Sequence, residues 1–230
     1  MGNRRQFLAT LALLAWGHTG QTAEAGKATD DDLRIRGVFE TPLPGTEAKQ
    51  SLRLILHPHI GDFRDREYLR TAVGFRYGVT ENWETMAEVD YYFSHGLEDV
   101  DLFRDHGFST FHLGTKYLIV KLGAARWDTS IGVDFVKPAG SPPASITDGL
   151  QHLVPYVALS RQLVRWPDWR VFCGLGYDIV THTSTLGERK KNQLADDYVN
   201  ISGGLLWARG PVTYALESSY ATMTNGNPRR

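Results

Sequence analysis

Apolar residues recur at every second position along most of this chain. Between Leu69 and Thr80, the residues Leu69, Thr71, Val73, Phe75, Tyr77 and Val79 share one face, and Arg70, Ala72, Gly74, Arg76, Gly78 and Thr80 share the other. A period of two marks a strand with one apolar and one small or polar face. The pattern is sharper from Trp83 to Ser94, where Trp83, Thr85, Ala87, Val89, Tyr91 and Phe93 oppose Glu84, Met86, Glu88, Asp90, Tyr92 and Ser94. The same alternation predicts strands over Leu52–Leu56, Phe111–Ile119, Trp127–Phe135, Leu153–Leu159, Trp169–Ile179, Val199–Trp207 and Val212–Tyr220. Leu33–Phe39 is a weaker candidate for a tenth, and no convincing amphipathic helix follows the first 25 residues.

The connections between these strands alternate in length. Thr80–Asn82, Val120–Ala125, Arg165–Asp168 and Arg209–Gly210 are short. Ser94–Gly107, Lys137–Gln151 and Thr181–Asp196 are long and rich in charge or proline. Tight turns at one end and long loops at the other are what an outer-membrane barrel shows, and a soluble sandwich has no physical need for them. Strands of about ten residues match a tilted span of a thin bilayer. Trp83, Trp127 and Trp169 open strands after short turns, while Tyr91 and Phe93 close one, as interfacial aromatic belts require. The expected fold is therefore all-β: an antiparallel up-and-down transmembrane β-barrel meander of nine or ten visible strands, ten to twelve when complete.

The N-terminus reads as an address. Arg4 and Arg5 precede the apolar run Phe7–Trp16, and a polar stretch ends at Ala23-Glu24-Ala25. Basic, apolar and small-x-small segments in that order make a secretory signal peptide over residues 1–25, with cleavage after Ala25. Asn3-Arg4-Arg5-Gln6-Phe7-Leu8 also fits a twin-arginine signal, although that route carries folded cargo and suits a membrane barrel poorly. Residues 26–50 form an N-terminal segment with the optional extra strand, and 51–230 the barrel.

If the apolar faces meet lipid, the opposite faces line a lumen. Parity places Arg53, Arg70, Arg76, Lys116, Arg126 and Arg170 there, with Glu84, Glu88, Asp90, Asp128, Asp134, Asp178 and Glu217. The two signs nearly cancel. Charges inside a small barrel need partners, so a network of internal ion pairs is expected, with at most a narrow channel. A polar solute pathway lined by the same residues is the alternative.

Composition narrows the classes further. The 230 residues carry 25 Lys and Arg against 26 Asp and Glu, which gives no basic excess for nucleic acid. Mean hydropathy is −0.30, and no apolar run reaches the roughly eighteen residues of a transmembrane helix. The single cysteine, Cys173, excludes an internal disulfide and a cysteine metal cluster. His57-Pro58-His59 offers two metal donors where a site wants three or four. His152 and Ser160 share a strand face but stand about 26 Å apart, too far for a hydrogen bond. Neither a Gly-x-Ser-x-Gly elbow nor a phosphate-cradling glycine loop occurs. No catalytic residue, cofactor or metal is assigned.

The run Tyr77-Gly78-Val79-Thr80-Glu81-Asn82-Trp83-Glu84 resembles the strand–turn–strand signature of bacterial outer-membrane β-barrels regarded as transporters. They include the proteins linked to the meta-pathway of phenol degradation. The likeness is strongest over residues 68–137 and 169–223, and it concerns a turn, so it implies fold and location and transfers no functional residue. Such barrels end in a strand closing on an aromatic residue, whereas this sequence ends Asn225-Gly226-Asn227-Pro228-Arg229-Arg230. A missing C-terminal strand is the expectation; counting Leu33–Phe39 as a strand would instead make the number even. The implied partners are outer-membrane lipid, the barrel-assembly machinery and a small polar or aromatic solute. Two other classes stand beside this one: a secreted lipocalin-like barrel with an apolar ligand inside, and a barrel-borne lipid hydrolase.

Overall fold

The computed structural model describes residues 6–15, 41–59, 68–94, 106–122, 127–139, 147, 149–182, 197–209 and 212–224. Every regular element among them is a strand: β1 (Gln6–Ala15), β2 (Leu52–Pro58), β3 (Tyr68–Gly78), β4 (Trp83–Ser94), β5 (His106–Leu122), β6 (Trp127–Pro138), β7 (Leu150–Gln162), β8 (Trp169–His182), β9 (Tyr198–Arg209) and β10 (Val212–Met223). From β2 to β10 each strand pairs antiparallel with its sequence neighbour, in one up-and-down meander. These nine are the strands the alternation predicts.

The tenth arises elsewhere. β1 falls inside the stretch that the sequence marks as a leader, and it pairs antiparallel with β10 from Gln6↔Ala221 to Ala15↔Val212. An edge strand presents a row of unpaired N–H and C=O groups, and an extended apolar run satisfies them. Leu33–Phe39 and Arg126 lie outside the described residues. The sheet edges are β1 and β2, which no pairing joins among the described residues, so hydrogen bonds do not close the sheet into a ring.

The sheet nonetheless curls. One cavity is lined from strands as distant as β3, β4, β9 and β10, through Arg76, Met86, Asn200 and Ser219. The two faces are sorted by polarity, in the reverse of a soluble core. Leu54 is 78% exposed, Leu175 53% and Ile131 49%, all on the outer face. On the inner face Glu84 and Glu217 are each 4% exposed and Lys116 6%. Leu43, Phe172, Leu206 and Ala215 form a small buried apolar cluster, and Ala72, Tyr92, Leu118, Leu150, Ala158 and Val180 are buried apart from it.

The alternation shifts once. Asp90 pairs with Thr110 but Tyr91 pairs with Phe108, so Ser109 is the extra residue of a β-bulge. Its hydroxyl donates to the Asp90 carbonyl at 3.4 Å. Because side chains alternate, the extra residue lets both Phe108 and Phe111 reach the outer face, one of even and one of odd number.

Aromatic residues form two outer belts. At the tight-turn end Trp169, Trp207 and Tyr214 occupy one register row across β8, β9 and β10. Their rings stack at 5.5 and 5.0 Å between centroids. In the same belt Arg161 lies 6.0 Å over Trp127, Arg209 lies 5.6 Å over Trp207, and the Trp83 indole donates to the Thr115 hydroxyl at 2.7 Å. At the long-loop end Tyr91 meets Phe108 edge to face at 5.6 Å.

Candidate functional site

The inner face is occupied by the chain itself. Residues 41–47 read Thr-Pro-Leu-Pro-Gly-Thr-Glu, and Thr41, Leu43, Pro44, Thr46 and Glu47 are buried. Two prolines remove two amide donors and fix the local backbone, so this stretch is unsuited to joining the ladder as a strand. Its polar groups bond to inner-face side chains instead.

Three inner-face residues of the sheet hold this segment through its main chain. The Glu217 carboxylate accepts from the Thr41 amide at 2.7 Å and also from the Thr41 hydroxyl. Glu84 accepts from the Glu47 amide at 2.7 Å. The Lys116 ammonium donates to the Leu43 carbonyl at 2.9 Å and stands 3.7 Å from Glu84, its directly opposite neighbour. On the segment, Glu47 takes the Arg53 guanidinium at 2.7 Å, and the Thr46 hydroxyl donates to the Glu81 carbonyl at the tight-turn end.

The chain then leaves the interior through a turn at Ala48–Ser51. Gln50 adopts φ 60°, and its amide donates to the Gly78 carbonyl at 2.7 Å. A side chain at position 78 would collide with the Ala48 carbonyl, so glycine is required where the segment crosses β3. Gly174 similarly faces Thr41 and Pro42, leaving room for the segment against β8.

Beyond the N-terminal end of the segment lies a cavity of about 500 Å³. Its polar wall includes Arg76, Asp134, Tyr156, Asn200 and Ser202. The register explains the space. In one row across the sheet, Gly78, Glu84, Lys116, Gly132, Tyr156, Gly176 and Asn200 follow each other, so long side chains alternate with glycines. Tyr156 covers Gly132, and Asp134 leans over Gly114. Arg76, Lys116, His112 and Glu84 lie within electrostatic reach of Asp134.

Toward the long loops, two His–Asp pairs stand on the same face. His112 Nε2 is 3.4 Å from Asp90, and His152 Nδ1 is 2.9 Å from Asp178. Arg70 and His59 lie within electrostatic reach of Asp90.

Parity thus brings most of the expected lumen residues together, in a different arrangement from the expected network. Glu84, Glu217, Lys116 and Arg53 serve the inserted segment, Arg76 and Asp134 the cavity, and Arg70, Asp90 and Asp178 the long-loop half. Arg170 donates to the Ser160 hydroxyl at 3.0 Å. Asp128 pairs in register with Ser160, and Glu88 with Gly74 and His112, all at inner-face positions. His152 and Ser160 have different partners and make no dyad. The His57 and His59 rings stack at 5.3 Å, and no group of three metal donors forms among the described residues.

Sequence reasoning put His112, His152 and Tyr156 on the inner face by parity but named only charged residues as lumen candidates and so left these three out. It also missed the whole Thr41–Glu47 insertion, whose one trace is two prolines and a glycine in a stretch too polar for a strand.

The fold and this interior define the class: an antiparallel β-meander wrapped around a segment of its own chain, with charges inside and apolar side chains outside. No family model matches the chain, and no curated protein matches it.

Proposed function

We propose that this chain is an outer-membrane β-barrel, exported by its N-terminal leader, whose lumen is a narrow route for small polar solutes. The inverted sorting of side chains carries this reading. A row of exposed Leu, Ile, Val and Phe around a protein whose Glu84, Lys116 and Glu217 are buried suits lipid outside and water inside. The two aromatic belts lie at opposite strand ends, as interfacial girdles do. The likeness of the Tyr77–Glu84 turn to outer-membrane transporters points the same way. The lipocalin-like alternative needs apolar residues inside, and the charged inner face disfavours it.

The reading has a structural consequence. Removal of the leader vacates the place of β1, and lipid cannot satisfy the edge of β10. The edges of β10 and β2 must then pair with each other or with a further strand.

The test is fractionation of cells expressing the chain, with gels of boiled and unboiled samples. Recovery in outer membranes with a heat-dependent mobility shift is expected of a closed barrel. Release as a detergent-free periplasmic protein with one mobility would overturn the proposal.

A further inference from the structure

We infer that Thr41–Glu47 is a displaceable latch that shuts the lumen and whose release opens a passage continuous with the 500 Å³ cavity. This rests on the barrel reading above and assigns how that barrel is regulated.

Three features separate a latch from a fixed part of the core. First, the ladder does not include it: β2 to β10 pair with one another, and among the described residues no backbone hydrogen bond joins 41–47 to a strand, so only the packing of Leu43 with Phe172, Leu206 and Ala215 and the holds below keep it in place. Second, three of the sheet's four charged holds, those at the Thr41 amide, the Leu43 carbonyl and the Glu47 amide, reach main-chain groups, and the fourth is the Arg53–Glu47 pair. These holds are given up against water once the segment moves, because the vacated lumen then hydrates the carboxylates and the ammonium. Third, the space beside Thr41, Pro42 and Leu43 is already hollow, with Arg76, Asp134, Asn200 and Ser202 on its wall among apolar side chains. Moving the segment therefore lengthens an existing cavity and leaves the wall intact.

The residues left behind set the solute. Around the segment and the cavity Arg53, Arg76 and Lys116 are balanced by Glu84, Asp134 and Glu217, so this narrow stretch of the open passage carries little net charge. Small neutral or zwitterionic solutes suit it, and ions of either sign pass with a permeability ratio near unity. A pore selective for one sign would need an excess of that charge at its constriction.

The experiment compares single-channel currents of protein recovered from outer membranes in planar bilayers. One variant deletes Thr41–Glu47. The other carries Thr41→Cys and Glu217→Cys with Cys173→Ser, so that oxidation can lock the segment to β10. The intact protein is expected to open rarely. The deletion should raise the open fraction by roughly tenfold or more, since each charge-assisted hold counts for at least about that factor. The locked protein should stay shut and recover its openings on reduction.

Equal currents from intact, deleted and locked proteins, each showing the heat-dependent shift, would overturn the latch and leave the barrel standing. So would a folded deletion variant that stays silent. If the deletion fails to fold, the oxidised-against-reduced comparison decides: openings only on reduction support the latch, and equal openings or none in either state overturn it. Loss of the heat shift in the intact protein would instead bring down the barrel reading itself.

Discussion

Glu84 and Lys116 stand directly opposite each other on β4 and β5, 3.7 Å apart, and each also grips the inserted segment, at the Glu47 amide and the Leu43 carbonyl. One cross-strand pair thus ties the wall to what fills it. Truncating one member leaves the other charge buried with fewer partners.

Lys116→Met is therefore expected to cost about 3–5 kcal/mol, the usual loss when one member of a buried pair is removed. Glu84→Gln keeps an acceptor for the Glu47 amide and should cost about 1–3 kcal/mol. Urea titration of the refolded protein, read by the mobility of unboiled samples, gives both values. A charge-swapped protein carrying Glu84→Lys and Lys116→Glu should recover part of the pair energy while still losing the holds on the segment. Full recovery would mean that the holds contribute nothing.

Ile131 lies mid-strand on the outer face and is 49% exposed. On the proposed barrel reading this face meets the bilayer midplane, and Ile131→Arg should then destabilise the protein by about 2–4 kcal/mol in lipid vesicles. On a water-exposed surface the same change would stay within about 0.5 kcal/mol. Denaturant titration in vesicles separates the two, and the smaller value would remove lipid from this face.

Glycines on the inner face differ in what surrounds them. A methyl at Gly204 would run into the Leu216 carbonyl, which is backbone and cannot swing away. Gly176 borders the cavity, and a methyl there would meet its nearest neighbour, Val154, at an ordinary 3.4 Å. Gly204→Ala should cost about 1–3 kcal/mol, and Gly176→Ala should be close to neutral. Similar losses at both would show that strand propensity, and not the space around each Cα, governs these positions.

Trp207 is flanked by Trp169 and Tyr214 in the tight-turn belt. A double-mutant cycle of Trp207→Ala with Tyr214→Ala should return a coupling of about 0.5–1.5 kcal/mol. Additive losses would mean that each ring acts through its own contact with lipid, with no stacking contribution.

Strand identity and strand facing were legible in the sequence, because a two-residue period is a local property. Leu69–Tyr77 and Trp83–Phe93 announce both faces without reference to any other part of the chain. That is why the parity of Glu84, Lys116, Asp134 and Glu217 placed them inside. The connection lengths likewise announced a meander, since short turns permit only neighbouring antiparallel strands.

What the sequence could not supply was the pairing of interior groups and the content of the interior. Charge counting anticipated that carboxylates and cations inside would need partners. Glu217, Glu84 and Lys116 each bond a main-chain group, of Thr41, Glu47 and Leu43 respectively, between 37 and 176 residues away in sequence. No local pattern encodes such a contact. The Ser109 bulge is similar: its effect on Phe108 appears only when β5 is laid against β4. Periodicity determines which way a side chain points. Only the curling of the sheet around residues 41–47 decides what it meets there, because a buried charge takes whichever partner the tertiary fold brings within a few ångströms.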